Sequence, residues 1–246
     1  MRHILMSLRN ITKAYREKNK EIKVLDNISL DIQEDFTSII GPSGCGKSTL
    51  LKIIAGIEKY DSGEIIYYDK NIKIGFVFQF PTLLPWMTVL ENVALPLRAN
   101  GLNKDQAEEI ARRYLNLVGL LEFKDFYPNE LSGGMRQRVN IARALAIEPT
   151  ILLLDEPFSH LDSLTAESLR SEIMDLWLMG VTSVRSIILV THNVDEALLL
   201  SDRVVILTPR PARISKIINI DMPRPRDRRS DEFQRLEDLV YEYISS

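Results

Sequence analysis

One short segment of the sequence has the residue types that hold a phosphate chain. It reads Gly41, Pro42, Ser43, Gly44, Cys45, Gly46, Lys47, Ser48, Thr49. Glycines allow backbone N–H groups to close around phosphate oxygens, and a helix start adds a dipole that favours anions. Lys47 is placed to reach the β- and γ-phosphates of a nucleoside triphosphate, and the Ser48 hydroxyl to ligate Mg²⁺. We name residues 41–49 the phosphate loop.

The flanking sequence supports this interpretation. The apolar run Thr37 to Ile40 precedes the phosphate loop and a helical stretch from Leu50 to Ala55 follows it, which is the context that the motif requires. The alternative, a glycine-rich turn with an unrelated lysine, leaves both flanks unexplained. Cys45 is interpreted as a small, semi-buried residue and not as a redox centre.

A second chemical signal is a pair of acids that ends an apolar run. The run Ile151 to Leu154 is too short for a typical helix, and Asp155 and Glu156 follow it. It predicts a buried central strand that delivers carboxylates at its C-terminal edge. Because neighbouring strand residues point to opposite faces, we assign Asp155 to the metal ion and Glu156 to the attacking water. Taken alone, such a pair after an apolar run is more often a solvated strand end than a functional site. Together with the phosphate loop, the functional interpretation is favoured.

The segment Leu131 to Arg138 predicts a second anion site. Ser132, Gly133 and Gly134 offer a hydroxyl and backbone donors directly before a helical pattern from Val139 to Ile147. A phosphoryl-transferring kinase with a phosphate loop gives no reason for this segment. The chain therefore carries two anion-binding motifs, and an interpretation of its function has to account for both.

Short apolar runs alternate with helical patterns along the chain, as in a sheet covered by helices. The predicted strands are Thr37 to Ile40, Ile72 to Phe78, Thr150 to Leu154, Ser186 to Val190 and Arg203 to Leu207. The first 35 residues instead predict short antiparallel strands, with a turn at Asp26-Asn27 before the alternating pattern from Ile28 to Ile32. These two patterns predict an α/β fold with an N-terminal antiparallel part.

A long insertion between the second and third predicted strands, from about Pro81 to Asn140, has a helical pattern. Thr88 and Asn103 are placed as N-caps, with Glu91 and Gln106 three residues further on. One predicted apolar face ends at Gly119 and consists of Ala107, Ile110, Ala111, Tyr114, Leu117 and Val118.

Composition limits the class of protein. A chain of 246 residues that is 45% hydrophobic can bury the core of one α/β domain. Its net charge of -3 argues against a nucleic-acid backbone as the main ligand. A single cysteine cannot form an intramolecular disulfide, and residues 1–10 lack the pattern of a secretory signal, so the cytoplasm is the expected compartment. No run approaches the roughly 18 apolar residues that span a bilayer, so a membrane role would be peripheral.

Taken together, the motifs resemble those of the ATP-binding cassette (ABC) family over essentially the whole chain. They follow the family's order: Tyr15 at the place of an adenine-stacking aromatic, Gly41 to Thr49, Gln79, Leu131 to Arg138, Ile151 to Glu156, Ser159 to Asp162, and His192. The resemblance implies a P-loop NTPase (RecA-like) core with an N-terminal antiparallel β subdomain and an inserted α-helical subdomain. It implies one ATPase domain over residues 1–246, with the helical subdomain at about 81–140 and a C-terminal tail at about 223–246.

The resemblance also implies roles for single residues. ATP would be bound by residues 41–49, Tyr15, Ser132, Gly133, Gly134 and Asp162; Mg²⁺ by Ser48, Gln79 and Asp155; and the catalytic residues would be Lys47, Gln79, Glu156 and His192. Gln79 would link Mg²⁺ and the lytic water to movement of the helical subdomain, and His192 would contact the γ-phosphate. Taken alone, His192 is better explained as a helix cap or an exposed residue before a helix at Val194. An aromatic residue such as Tyr15 in an N-terminal hairpin is at least as often a core or surface filler as a nucleotide ligand.

Two residues depart from the commonest family pattern. Met135 stands where glutamine usually follows the two glycines, and His160 where a small residue usually precedes Leu161 and Asp162. Neither change removes a phosphate ligand. His160 adds a titratable ring near the expected dimer seam.

Two incomplete half-sites in one chain imply a dimer. By the resemblance, the segment Leu131 to Arg138 of one copy binds the γ-phosphate that the phosphate loop of another copy holds, so two copies meet head to tail. Glu156 would polarise the water, while Lys47 and Mg²⁺ spread the transition-state charge. ATP would close the pair, and its hydrolysis would open it.

Three segments resemble the nitrate, sulfonate and taurine branch of importer ATPases, namely residues 80–92, Gly133 to Arg138 and Leu207 to Pro211. The apolar and aromatic stretch Phe80 to Thr88 is suited to accept a partner's short helix, with internal packing as the alternative for Trp86. The branch implies a transmembrane permease, an extracytoplasmic solute-binding protein, an anionic or other small solute of the nitrate, sulfonate or taurine kind, and a peripheral place on the cytoplasmic face of the membrane. The alternative is a soluble ABC ATPase that remodels a nucleic-acid or protein complex.

The C-terminal sequence has two parts. The basic stretch Pro223 to Arg229 predicts a solvated linker, with a phospholipid-facing patch as the alternative. A helical stripe that follows is predicted to pack on the core and consists of Phe233, Leu236, Leu239, Val240, Tyr243 and Ile244.

Overall fold

The protein is described by a computed structural model for residues 2–17, 20–180 and 182–245. The chain forms two compact units. The first unit combines Met1–Ile72 with Arg185–Ser246, and the second unit is Lys73–Val184. Within the described residues, no helix combines the length and the apolar character that crossing a bilayer would take.

The first unit has an antiparallel sheet and a mainly parallel one. The antiparallel sheet places β1 (Ile4–Glu17) between β2 (Lys20–Gln33) and β4 (Ser62–Tyr67). In the other, β3 (Phe36–Ile40) pairs in parallel with β7 (Ser186–Val190) and β8 (Arg203–Leu207), and β9 (Ile214–Asn219) is antiparallel to β8. Its helices are α1 (Lys47–Ile54), α6 (Val194–Leu200) and α7 (Asp231–Ser245).

The strands β3, β7 and β8 are buried along their whole length. Parallel strands covered on both faces have continuous apolar runs in place of alternation, and this explains why the sequence pattern predicted them. The predicted bounds of β7 and β8 are confirmed, and β3 begins one residue earlier than predicted.

The predicted turn at Asp26-Asn27 is wrong. Strand β2 continues through both residues, and Asn27 has a φ of 58° inside it. The register moves from Ile11 opposite Ile28 to Lys13 opposite Leu25, so β2 carries an extra residue there. This is a β-bulge, which uses the same left-handed residue types as a turn.

The second unit is mostly helical. Its two strands, β5 (Ile74–Val77) and β6 (Ile151–Asp155), are parallel. Its helices are α2 (Val89–Ala99), α3 (Lys104–Leu117), α4 (Gly133–Ala146) and α5 (Ser163–Met179), with short 3₁₀ turns at Leu121–Phe123 and Pro128–Glu130. Gly75 allows β5 to approach α4, because a Cβ there would lie 2.8 Å from the Ala144 carbonyl oxygen.

Both predicted N-caps in the insertion are confirmed. Thr88 and Glu91 form a capping box at the start of α2, and Asn103 and Gln106 form another at the start of α3. The predicted apolar face of α3 is correct at Ala107, Ala111 and Tyr114, and at Val118 directly after the helix, all of which are buried. It is wrong at Leu117, which is 39% exposed where the helix ends.

The basic C-terminal stretch is not simply a solvated linker. Arg226 donates to the carbonyl oxygens of Leu198 and Ser201, and Arg224 to that of Leu200, so both guanidinium groups bind the C-terminal end of α6. Burial lowers the pKa of Arg226 to about 10. These contacts take two arginines away from any lipid-facing patch.

The helix α7 packs as its apolar stripe predicts. Phe233 and Val240 are buried in one cluster with residues of β8, β9 and α6, while Leu236, Tyr243 and Ile244 pack against it. Leu239 is the exception, because it is 37% exposed.

Candidate functional site

The phosphate loop joins β3 to α1 in the first unit, and two glycines let it pack closely. A Cβ on Gly41 would lie 2.8 Å from the Leu207 carbonyl oxygen. Gly46 has a φ of 128°, and a Cβ there would lie 2.8 Å from Val24 Cγ1. Any larger side chain would therefore push the loop away from β8 or β2. Gly46 is also the N-cap of α1 and has no side chain to bind the first-turn N–H groups, which are the groups that an anion uses.

Lys47 is buried against its own loop. Its Nζ donates to the carbonyl oxygens of Gly41 at 2.8 Å and Pro42 at 3.0 Å, and the residue is 5% exposed. The ammonium group is therefore fixed inside the curve of the loop, where a phosphate chain adds the opposite charge. Cys45 is more buried than predicted, at 1% exposed, and burial raises the pKa of its thiol. A buried thiol with a raised pKa is a poor nucleophile.

In the second unit, Gln79 lies just past β5 and is close to three polar groups. Its Nε2 is 3.4 Å from Glu156 Oε2, from Ser159 Oγ and from His160 Nε2. The structure therefore brings together Gln79, Glu156 and the segment 157–161. The side-chain amide can donate to the Glu156 carboxylate and hold its orientation.

The two acids at the end of β6 differ in backbone conformation. The strand ends at Asp155, which is buried, and Glu156 leaves it with a φ of 45°. The alternation argument therefore does not extend to Glu156, because that residue is outside the strand. A non-glycine residue in the left-handed region costs on the order of 1 kcal/mol, and such strain is concentrated at functional sites.

The second predicted anion motif forms the start of α4. Ser132 is the N-cap, and its Oγ accepts from the Met135 N–H at 3.2 Å. Gly134 packs against α5 so tightly that a Cβ would lie 2.3 Å from Thr165 Cγ2. Only the backbone of Met135 takes part in this cap, so the side-chain difference at 135 leaves the cap intact. Ser132 and Gly133 are exposed.

A groove of about 130 Å³ joins this motif to the segments around Gln79 and Leu161. Among its lining residues are Gln79, Gly133 and His160. The second unit thus places three separately predicted motifs around one depression.

The remaining predicted site residues are at element ends or on a strand. Asp162 caps α5 by accepting from the Thr165 N–H at 3.0 Å and from its hydroxyl at 2.6 Å, and these bonds lower its pKa. His192 is exposed between β7 and α6, and it is not the cap, because Asn193 accepts from the Glu196 N–H. Tyr15 lies on β1, 39% exposed, with Lys13 Nζ 5.0 Å from its ring centroid.

Comparison with known proteins decides the family. Residues 25–159 match the family described as ABC transporter. The chain belongs to the ABC transporter family. It is an ATP-hydrolysing subunit of that family and carries the P-loop NTPase fold that its motifs predicted.

Relatives cover nearly the whole of this ABC subunit. An uncharacterized ABC transporter ATP-binding protein of Methanocaldococcus jannaschii is 47% identical over 94% of this chain and 87% of its own length. The aliphatic sulfonates import ATP-binding protein SsuB of Bacillus cereus is 42% identical over 96% of this chain and 94% of its own. A solved dimeric ATP-binding cassette in a post-hydrolysis state with ADP and Pi is 34% identical, with a TM-score of 0.77 over 89% of this chain and 100% of that one.

Sequence reasoning missed two residues that position Gln79 in this ABC subunit. Gln137 and Asn140, both buried on α4, donate to the Phe78 carbonyl oxygen at 3.4 and 3.1 Å. They tie the helix that starts at Ser132 to the backbone next to Gln79. The available signal was two amides three residues apart on one face of the predicted helix, since amides that are buried need partners.

The residues also fit the nucleotide that the family implies. The glycine-lined phosphate loop with its buried Lys47 suits a phosphate chain. The Ser48 hydroxyl in the first unit and the buried Asp155 carboxylate in the second are each of a ligand type that Mg²⁺ accepts.

Proposed function

We propose that the chain is the ATP-binding subunit of an importer that moves a small anionic solute, with an aliphatic sulfonate as the first candidate, through a separate permease. It would work at the cytoplasmic face of the membrane as a peripheral protein, supplied by an extracytoplasmic solute-binding protein. The name of SsuB and its 42% identity over 96% of this chain support the substrate class.

The observation that carries the partner proposal is a rigid, exposed aromatic segment at residues 80–88. Phe80 is 61% and Trp86 70% exposed, so internal packing does not account for Trp86. Exposed large apolar side chains held in one place are typical of a protein–protein contact. A short amphipathic helix of the permease would fit such a contact.

The rigidity of this segment has a definite source. Asn92 is fully buried, and its amide accepts from the Leu84 N–H at 2.7 Å and donates to the carbonyl oxygens of Leu84, Met87 and Thr88 at 3.0 to 3.1 Å. Arg143 donates to the Thr82 carbonyl oxygen and hydroxyl. A segment held in advance loses little entropy when a partner binds.

We assign the chemistry to the predicted residues. The phosphate loop and Lys47 would hold the phosphates, with Tyr15 at the base and His192 at the γ-phosphate. Ser48, Gln79 and Asp155 would hold Mg²⁺, which when bound screens the phosphate charge. Glu156 would orient the water and take its proton, with its carboxylate held by Gln79.

Dimerisation belongs to the same proposal. Ser132, Gly133 and Gly134 at the start of α4, with Asp162 at the start of α5, would meet the nucleotide of a second copy. The exposure of Ser132 and Gly133 supports this role, as does the similarity to cassettes solved as dimers.

A trapping experiment tests the ATP-driven dimer. Glu156→Gln removes the proton acceptor and keeps the shape, so we expect turnover to fall by about 10² or more and ATP to drive a stable dimer in size-exclusion chromatography. Lys47→Ala in the same background is expected to abolish that dimer. Steady turnover by Glu156→Gln at the wild-type rate would refute the assignment.

Affinity isolation from native membranes tests the importer. We expect the wild type to bring down one polytopic membrane protein, and Trp86→Ala to lose it. Met179→Ala is the matched control, because Met179 is also 70% exposed but lies at the end of α5. Equal recovery with Trp86→Ala would contradict the proposed surface, and nucleic-acid-stimulated ATPase without a membrane partner would favour the soluble remodelling alternative.

A further inference from the structure

An arginine outside the predicted site contacts the phosphate loop. Arg210 lies in the turn between β8 and β9, and its guanidinium donates from both Nε, at 3.1 Å, and Nη2 to the Gly44 carbonyl oxygen. In the sequence, the surrounding stretch Leu207 to Pro211 indicated only a resemblance to the importer branch, and no chemical role was assigned to it. The contact gives that stretch a physical role within the first unit.

The turn that carries Arg210 is well anchored. Thr208 and Arg213 close it with two bonds, from the Thr208 N–H to the Arg213 carbonyl oxygen and from the Arg213 N–H to Thr208 Oγ1, each 2.9 Å long. Ala212 bonds to the backbone of Val24 and Asp26 on β2. Arg210 therefore reaches the loop from a fixed base, and its fork of donors is aimed at one oxygen.

The carbonyl that Arg210 binds is part of a pattern in the loop. The amides of a phosphate loop can converge on an anion only if its carbonyls turn elsewhere, and those carbonyls then need donors. Lys47 donates to the carbonyl oxygens of Gly41 and Pro42, and the Cys45 N–H also donates to that of Pro42. The Gly44 carbonyl oxygen accepts from Arg210, which lies outside the loop.

The bond fixes one peptide plane. In a trans peptide the C=O of Gly44 and the N–H of Cys45 point in opposite directions. The guanidinium that holds the C=O therefore also supports the Cys45 N–H in its bond to the Pro42 carbonyl oxygen, which closes the turn of the loop. Gly44 has a φ of 69°, and glycine is the residue with the least intrinsic preference for one backbone conformation. An external contact is therefore most useful at this point of the loop.

We propose that Arg210 is a positioning residue for nucleotide binding. It holds the Gly44–Cys45 peptide, and with it the turn that the Cys45 N–H closes on Pro42, so that the phosphate loop keeps the shape that receives the phosphate chain. Its positive charge favours that chain as well. This inference rests on the role of the phosphate loop in binding ATP. It adds a residue from the β8–β9 turn to the elements that set nucleotide affinity.

The test compares three variants by titration with a fluorescent ADP analogue and by steady-state ATPase kinetics. Arg210→Ala is expected to raise the Kd for ADP and the KM for ATP by about fivefold to tenfold, with kcat within about twofold, because a charge-assisted bond is lost on a partly solvated surface. Arg210→Lys is expected to retain only part of the wild-type affinity. Lysine keeps the positive charge, but it donates from a single ammonium group and not from a planar fork. Lys216→Ala removes the same charge from β9, where the Nζ of Lys216 lies over the Tyr243 ring, and should leave both constants unchanged.

The outcomes separate the possible failures. If Arg210→Ala lowers only the thermal midpoint while Kd and KM keep their wild-type values, Arg210 is a structural residue and the inference is wrong. If Lys216→Ala weakens ADP binding as much as Arg210→Ala does, the loss of affinity comes from the change in net charge and not from the position of the loop. The inference is then also wrong. If the wild type itself fails to bind ADP, the ATP-binding role of the phosphate loop is what has failed.

Discussion

The ring of His160 stacks on the ring of Phe80, with centroids 4.3 Å apart and planes 20° from parallel. Phe80 opens the exposed segment at residues 80–88, and His160 lies two residues before Asp162. His160 Nε2 is also 3.4 Å from the side-chain nitrogen of Gln79. One of the two residues that depart from the commonest family pattern thus joins the proposed permease surface to two proposed nucleotide residues.

We therefore expect His160→Ala to lower ATPase activity. Stacked rings contribute about 0.5–1.5 kcal/mol, so losing the pair and the Gln79 contact should reduce kcat by about twofold to tenfold with little change in KM. His160→Phe keeps a stacking ring and removes the ring nitrogen. If steady-state assays show that His160→Phe retains most of the kcat that His160→Ala loses, stacking is the main contribution; an unchanged kcat in His160→Ala would exclude a role in turnover.

The sequence predicted what depends on neighbours along the chain. The capping boxes at Thr88 and Asn103 were visible because a cap and its partner are three residues apart. Strands β7 and β8 were visible because burial on both faces leaves an apolar run. The phosphate loop was visible because its glycines and lysine are contiguous.

Contacts between distant segments were not predictable in this way. Asn27 suggested a turn, but a bulge differs from a turn only through the register of the partner strand. Arg224 and Arg226 suggested a solvated linker because nothing local reveals the α6 carbonyls that they bind. Arg210 was hidden for the same reason, since 166 residues separate it from Gly44.

Asn92 is expected to be essential for the shape of the exposed segment. Asn92→Ala would leave the N–H of Leu84 and several carbonyl oxygens without their buried partner, at a cost of about 2–3 kcal/mol in the free energy of unfolding. Urea denaturation measures this, and permease recovery in the affinity isolation should fall with it. Asn100→Ala, at the exposed end of α2, is the control. A loss below about 0.5 kcal/mol for Asn92→Ala would contradict the role.

The contact between Gly134 and Thr165 predicts a rescue. Gly134→Ala places a methyl group 2.3 Å from Thr165 Cγ2 and should destabilise the protein by about 1–3 kcal/mol. Thr165→Ser removes that methyl group and keeps the hydroxyl that donates to Asp162. The double variant should therefore recover most of the lost stability in a double-mutant cycle of urea unfolding. Additive losses would show that the clash is not the cause.

Asp202 predicts how stability changes in acid. Burial by itself raises the pKa of this carboxyl group, but bonds from the Phe36 N–H and Arg224 outweigh it, so the folded pKa is below its ordinary value of 3.8. A carboxylate whose pKa is lower in the folded than in the unfolded protein stabilises the fold at every pH above its unfolded pKa. This contribution is lost as the pH falls through the folded pKa. Asp202→Asn should cost about 2 kcal/mol at neutral pH. The difference in urea midpoint between the variant and the wild type should stay constant from about pH 8 to 5 and shrink only below the ordinary pKa. Protonation of Asp202 in the wild type then removes the charge that the variant already lacks. A difference that persists undiminished in acid would show that the bonds of Asp202 do not depend on its charge.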